Sequence, residues 1–324
     1  MTAHNGYLLG LDVGNTNVKC VAISQNGLQL GLFRRSTESV RADNEIGLDC
    51  DRLMALIIEL LSLTTQQMKK LDSASVPLGI AVSSMGCVNF LLDSENRQIH
   101  VPILEPLSTL PKGTYQKTGY PEDYANSGAR LKTLSEQSPE TAGKIYSILS
   151  VGEYITYRLC GQKAATYSHA GSTSLLDKEH GRWWFDFTQN LGIRNNALPP
   201  LIESGTRLGG LLPSIAEATG LPRELPVSSG GHDYLCAAYA AGCIDETKSL
   251  VLLGSFEMVA SFAAKPARQA PPDDIVRFWD HHVFPAKFAH TAEFVCAAQI
   301  EWLRKRLMGN PSEKAWSELF SQLN

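Results

Sequence analysis

Three extended segments crowd into the first 36 residues, and the first of them ends in an aspartate followed closely by a glycine. Tyr7 to Val13 is apolar and extended, Val18 to Ser24 alternates, and Leu28 to Arg34 follows. Asp12-Val13-Gly14-Asn15-Thr16-Asn17 joins the first two, and Gln25-Asn26-Gly27 joins the second to the third. Asn-Gly accepts the positive φ of a primed hairpin turn, so the stretch predicts an N-terminal antiparallel β-meander.

A helix should follow. In Asp51 to Leu71, Leu53, Leu56, Ile57, Leu60 and Leu61 fall on one stripe, with Asp49 or Asp51 as cap. Pro77 to Ser84 reads as a strand, and Phe90 to Asp93 as its resumption. Residues 94 to 125, rich in Pro, Gly and Thr, read as loop. Helices are expected over Ala129 to Gln137 and over Gly143 to Leu159, the second stopped by Gly161. Between Gly181 and Gly220 the pattern is short helices and turns, with Trp183, Trp184 and Phe185 as core. Val227 to Gly231 is a strand end, and Leu235 to Ala241 a helix of small residues. Lys248 to Leu253 and Met258 to Ala263 form a second strand pair, and Ala297 to Leu307 and Pro311 to Leu323 look helical. Strands, then helices, then strands again imply an α/β chain in which a second sheet begins near residue 244.

Composition narrows the partners. The 324 residues suffice for one large domain or two ordinary ones. The net charge is −4, and the densest basic stretch, Arg304-Lys305-Arg306, alternates with apolar residues as a solvated helix face does. Nucleic acid is therefore not an expected partner. The 7 cysteines are scattered, with no Cys-x-x-Cys pair, which fits neither a zinc site nor a disulfide framework. Reduced thiols in a cytosol are expected. Met1 to Gly14 lacks the charged-then-apolar pattern of a signal peptide, and Leu53 to Leu63 is too short to span a bilayer, so no membrane partner is expected and the location should be cytoplasmic.

Three segments can carry chemistry. In the first, Gly14 lets backbone N–H groups approach an anion, Asn15, Thr16 and Asn17 offer donors, Lys19 adds positive charge, and Asp12 can hold Mg²⁺ through water. A plain hairpin with Gly-Asn at its tip has the same residues, and the segment alone does not separate the two readings. The second is Ser229-Gly230-Gly231-His232-Asp233 ahead of the small-residue helix. An aspartate at the top of a strand can take a proton from a substrate hydroxyl, and it is equally a natural N-cap. His232 reads as a satisfied loop histidine. The third, Leu253-Gly254-Ser255-Phe256, repeats the strand–Gly–hydroxyl theme, again within reach of a hairpin explanation.

In order, these segments resemble the FGGY family of carbohydrate kinases, which includes xylulose, gluconate and glycerol kinases. Asp12 to Lys19 resembles the first phosphate loop, and Ser83-Ser84-Met85-Gly86-Cys87 the sugar-contacting turn. Thr118-Gly119 with Asp123-Tyr124 resembles the stretch where an aromatic lines the sugar pocket. Glu153 to Gly161, Tyr167-Ser168-His169-Ala170, Leu198-Pro199 and Thr219-Gly220-Leu221-Pro222 match further family segments. Gly231-His232-Asp233 resembles the catalytic loop, and Gly254-Ser255-Phe256 the second phosphate loop. The resemblance implies a ribonuclease H-like domain duplicated in actin and hexokinase fashion: an N-terminal domain over 1–243, complete, and the start of a second over 244–324. It implies ATP and Mg²⁺ as cofactors and a small sugar or polyol as substrate. Asp233 would be the catalytic base and a sugar contact; Met85, Gly86, Cys87 and Tyr124 would be further sugar contacts. Gly14, Asn15, Thr16, Asn17, Lys19, Gly254 and Ser255 would hold ATP phosphates, and Asp12 the metal. A homodimer is one assembly it allows.

The departures fall at the sugar-reading turn. Cys87 stands where relatives carry Glu or another polar group, and Gly86 where Arg or His is common. The family's Trp-x-Asp-x-Arg segment is absent, with Ile103 to Pro106 near its place, and Ser255-Phe256 replaces Thr-Ser. The family's second domain, with its adenosine-holding Gly-Gly-Gly loop, continues past the helix resembled by Ala297 to Leu307. The sequence reading therefore expects a C-terminally truncated chain and sets a remnant that binds only sugar or a partner beside the active kinase. Asp12 to Asn17 also resembles the first loop of type III pantothenate kinases, whose Gly-x-Asp-Arg segment is not found here.

Overall fold

Alternation in the first strands sets the fold. In a computed structural model that describes residues 6–42, 47–101, 104–253, 256–266 and 276–295, β1 (Gly6–Val13) and β2 (Asn17–Ser24) bury every second side chain. Tyr7, Leu9, Leu11 and Val13 point to the same side as Val18, Cys20 and Ala22. β3 (Gln29–Ser36) completes the meander, pairing antiparallel with β2. Its connection differs from the two-residue primed turn expected: only Gly27 takes a positive φ, 86°. The wider loop is closed by hydrogen bonds between Ser24 and Gly27 and between Leu28 and Ser24.

α1 (Cys50–Leu71) covers the buried face, capped by the Asp49 carboxylate on the N–H groups of Asp51 and Arg52. Its Leu53, Ile57, Leu60 and Leu61 lie in one core with Leu9, Leu11 and Cys20. β4 (Val76–Ser84) returns parallel to β1. β8 (Pro226–His232) lies parallel on the far side of β4, with β7 (Arg207–Gly210) at the edge, so the order is β7-β8-β4-β1-β2-β3. Three antiparallel strands followed by parallel ones is the ribonuclease H-like sheet that the sequence resemblance implied.

A second core fills the stretch between β4 and β7. β5 (Asn89–Leu92) pairs with β6 (Ser147–Ser150), and α2 (Ser127–Gln137) packs nearby. The single helix expected over 143–159 is thus a strand and a helix. Both Ile148 and Leu149 are buried, as in a strand enclosed on two faces. α3 (Val151–Cys160) begins only at Ser150, whose hydroxyl and Glu153 form a reciprocal capping box, and stops at Gly161 with φ 80°. Of the three adjacent aromatics expected in the core, Trp183 is buried, while Trp184 is half-buried and Phe185 exposed.

α4 (Asp233–Ala240) leaves the top of β8 and packs against a second, four-stranded antiparallel sheet. That sheet has the order β9 (Ser249–Leu252), β10 (Phe256–Ala263), β12 (Phe288–Val295), β11 (Val276–His281). The sequence reading found the first two and placed no element on β11 or β12. Their signal is two β-rich runs around the Pro285-Ala286 turn. Gly254, Ser255 and the helices expected over 297–307 and 311–323 lie outside the described residues.

Candidate active site

The parallel strands β1, β4 and β8 end along one edge of the sheet, where open α/β sheets place ligands. Register does the assembling. Asp12 stands opposite Ser83, and Ser84 stands opposite His232, so Asp12, the sugar-reading turn and Gly231-His232-Asp233 emerge side by side. They open into a cleft of about 890 Å³ lined by Asp12, Asn15, Thr16, Met85, Gly86, Cys87, Tyr124 and Asp233, among others. A second, largely apolar cavity of about 90 Å³ lies between β5 and α2 and is too small for a sugar.

Asp12 uses both oxygens: Oδ1 accepts from Ser83 Oγ at 3.0 Å, and Oδ2 from Lys19 Nζ at 3.0 Å. In the turn beyond it, the Gly14 N–H donates to the Asn17 carbonyl at 3.0 Å. The Gly14 amide thereby closes the turn that carries Asn15 and Thr16. Asn15 and Thr16 are exposed at the tip and face the cleft, whereas Asn17 starts β2 and Lys19 sits beside Asp12, both off the cleft wall. A single carboxylate suits a cation that keeps most of its water and its phosphate ligands, as Mg²⁺ does. Among the described residues no cluster of three or more His, Cys, Asp or Glu forms a full cage.

Asp233 is the first residue of α4, and the capping position belongs to His232. Its carboxylate Oδ1 accepts from the Tyr234 N–H at 2.7 Å and pairs with His232 Nδ1 at 2.9 Å. Burial alone would raise this carboxyl. The His232 hydrogen bond and charge, with the Tyr234 N–H, outweigh burial and hold it below the ordinary aspartate range. The carboxylate is therefore ionised at neutral pH. His232, weighed in the sequence as a loop residue, is instead the partner of Asp233. Its backbone N–H donates to Ser168 Oγ at 3.2 Å, and its ring stands edge-on to Tyr234.

Two glycines make this possible. A Cβ on Gly86 would overlap the His232 imidazole. A Cβ on Gly230 would overlap the Val82 carbonyl, at the bulge where β8 slips against β4. Cys87 holds a left-handed backbone, φ 60°, and lines the cleft, where burial pushes its thiol up to about 12.

The opposite wall comes from β11, β12 and the segment before α2, which sequence reasoning did not join to the site apart from Tyr124. Tyr120 stacks on Phe278 at 4.7 Å, and Tyr124 tilts against both. Behind them Asp280 is fully buried. It accepts from Lys178 Nζ at 2.8 Å, Tyr120 Oη at 2.7 Å and Tyr234 Oη at 3.1 Å. Lys178 also donates to the Trp279 carbonyl and lies over the Tyr120 and Trp279 rings. Burial would raise the Asp280 carboxyl, but the neighbouring ammonium holds it below its usual value.

A ribonuclease H-like sheet, an aspartate-bearing turn between its first two strands and an aspartate atop its last parallel strand define the first half of an actin- and hexokinase-like fold. The profile of the FGGY family of carbohydrate kinases, N-terminal domain, matches residues 7–240. The chain belongs to that family. It is similar to a xylulose kinase of Bacillus subtilis, with 24% identity over 94% of this chain and 63% of that protein. It is also similar to an L-fuculokinase of Haemophilus influenzae, with 25% identity over 92% of this chain and 67% of the relative. The crystal structure of a xylulose kinase from Rhodospirillum rubrum superposes with a TM-score of 0.82 at 21% identity, covering 97% of this chain and 66% of that one. The chain thus spans about two thirds of the length of these relatives. The family model that matches is one of carbohydrate kinases. Among the described residues no helix is long and apolar enough to cross a membrane.

Proposed function

We propose that this chain supplies the sugar-binding and catalytic half of an ATP-dependent carbohydrate kinase. The observation that carries the reading is Asp233: an ionised carboxylate at the start of α4, in one cleft with the Asp12 turn. In the reaction the sugar hydroxyl oxygen bonds to the γ-phosphorus of ATP, the bond to the β,γ-bridging oxygen breaks, and the hydroxyl proton passes to Asp233. Sugar phosphate and ADP leave. Asn15 and Thr16 donate to phosphate oxygens from the turn that Gly14 and Asn17 close. Lys19 offsets the charge of Asp12 and of the incoming phosphates. Asp12 would hold Mg²⁺, which would neutralise phosphate charge when bound. Gly254 and Ser255 stand between β9 and β10 in sequence and take the role of the second phosphate loop. Met85, Gly86, Cys87 and Tyr124 line the sugar end of the cleft. Positioning and charge neutralisation supply most of the rate, as in phosphoryl transfer generally.

We place the domain boundary at 243/244. The end of the family match at 240 and the start of β9 at 249 support it. The test of the whole reading is Asp233→Ala. Sugar-dependent ADP release should fall roughly 10²- to 10⁴-fold while an ATP analogue binds as before. Turnover equal to the parent's would remove Asp233 from the role of base. Sugar binding by calorimetry with no nucleotide affinity in the parent would favour a sugar-binding module instead.

A further inference from the structure

The turn between β1 and β2 is held from behind. Directly after β3, Thr37–Val40 forms one turn of 3₁₀ helix, with Arg41 at its end. Thr37 is polar yet fully buried, and it spends both of its donors on the β1–β2 turn. Its Oγ1 donates to the Gly14 carbonyl at 2.7 Å, and its N–H to the Thr16 carbonyl at 2.9 Å. Arg41 takes the carbonyl between them: Nη2 donates to Asn15 at 3.4 Å, while Nε is paired with Glu38 at 2.8 Å. Three consecutive carbonyls of the turn thus point to one short segment. In a planar trans peptide the N–H points opposite to the C=O. Holding the Gly14 and Asn15 carbonyls therefore turns the Asn15 and Thr16 amides the other way. Both of these residues line the cleft, whereas Thr37 and Arg41 do not. Among the described residues neither amide has an acceptor. Successive N–H groups left open in a turn form a concavity for an anion.

We propose that Thr37 is a positioning residue for phosphate binding: with Arg41 beside it, it fixes the Asn15 and Thr16 backbone amides as a preformed cradle for the terminal phosphates of ATP. The proposal rests on the kinase reading above and deepens it. The cradle is main chain, and its aim is set by a hydroxyl 23 residues further along the sequence. Thr37 itself touches neither nucleotide nor sugar. Its hydroxyl matters because a free Gly14 carbonyl would let that peptide rotate, and an amide that must be re-aimed when phosphate arrives binds it less tightly than one already in place.

The test combines calorimetry of the whole chain, titrated with Mg²⁺ and the β,γ-imido analogue of ATP, with the backbone amide spectrum of isotope-labelled protein. In the parent the analogue should bind and shift the Asn15 and Thr16 amide resonances. Thr37→Val keeps the shape and removes the hydroxyl. It should weaken the analogue about 10-fold, the scale of one hydrogen bond taken from a buried acceptor, and shrink both amide shifts at saturation. Thr37→Ser restores the hydroxyl and should bind and shift as the parent does. Arg41→Met, at the surface, frees only the Asn15 carbonyl and should cost about 3-fold, which keeps the test open if Thr37→Val does not fold. A loss in Thr37→Ser equal to that in Thr37→Val would make Thr37 a packing residue and overturn the proposal. So would Thr37→Val and Arg41→Met both binding as the parent does, or analogue binding that leaves the Asn15 and Thr16 amides unmoved. In each of these cases the kinase reading stands. A parent chain that binds no analogue brings down the nucleotide half of that reading, and the proposal with it.

Discussion

The buried pair Lys178–Asp280 gives a magnitude that can be worked from geometry. Both side chains are 0% exposed, and the ions are 2.8 Å apart. At an effective dielectric of about 20 their attraction is about 6 kcal/mol, set against the desolvation of two ions. Removing one partner forfeits the attraction and leaves the other's desolvation uncompensated. Asp280→Asn should therefore cost roughly 3–5 kcal/mol, because the Lys178 ammonium then faces an amide and the hydroxyls of Tyr120 and Tyr234 lose their charged acceptor. Lys178→Met should cost a similar amount at pH 7 and less in acid, where Asp280 can take a proton. The double variant Lys178→Met with Asp280→Asn buries no ion and should recover about 2 kcal/mol or more relative to the sum of the singles. Urea unfolding at pH 7 reads this out as a shift in midpoint at constant slope. If the single costs add to within about 0.5 kcal/mol, the two groups are not coupled and the picture of a buried ionic clamp between the sheets is wrong.

Three further outcomes follow from the same contacts. Gly230→Ala should destabilise by more than about 1–3 kcal/mol in urea, since the new methyl meets the Val82 backbone and no side chain can yield. His169, His281 and His282 are held neutral by burial, at about 3, 4 and 4, against a free value near 6.5. Their depressed values contribute stability that is complete above pH 6.5 and is lost as pH falls towards 3, so thermal midpoints should drop through that window, and less steeply in His282→Gln. His232→Asn removes the group that holds the Asp233 carboxyl low, so the acid limb of the kcat/KM profile should move to higher pH; an unmoved limb would show that His232 does not tune the base.

The sequence was most informative where a local pattern decides the structure. The alternation of β1 and β2, the Leu53 to Leu61 stripe and Gly161 as a helix stop are each fixed within a few residues. The break inside 143–159 was hidden because Ile148 and Leu149 suit a buried strand and a helix equally. What settles it is a partner far away, β5, together with the Ser150 cap. The second wall of the cleft was hidden for a related reason. Phe278, Asp280 and Glu293 reach the site only through the pairing of β11 and β12, and a buried aspartate reads in sequence like any surface charge until Lys178, Tyr120 and Tyr234 are seen around it.

The sugar-reading turn shows how a departure in sequence becomes intelligible in three dimensions. Gly86 stands where the family commonly carries Arg or His, which in sequence looks like a lost substrate contact. In the structure the space over Gly86 is taken by the His232 imidazole, and no side chain at 86 can coexist with that ring. The two positions are therefore coupled: the imidazole that β8 delivers onto Asp233 fills the space over Gly86. Gly86→Ala should then act at a distance from its own atoms. The ring must swing away from Asp233, and misplacement on the ångström scale costs on the order of 10- to 100-fold in turnover. The further change His232→Asn, whose shorter side chain leaves room for the methyl, should lose little more activity in the Gly86→Ala background than His232→Asn loses alone. Independent, multiplicative losses would show that the two positions are not coupled and that Gly86 serves the substrate directly.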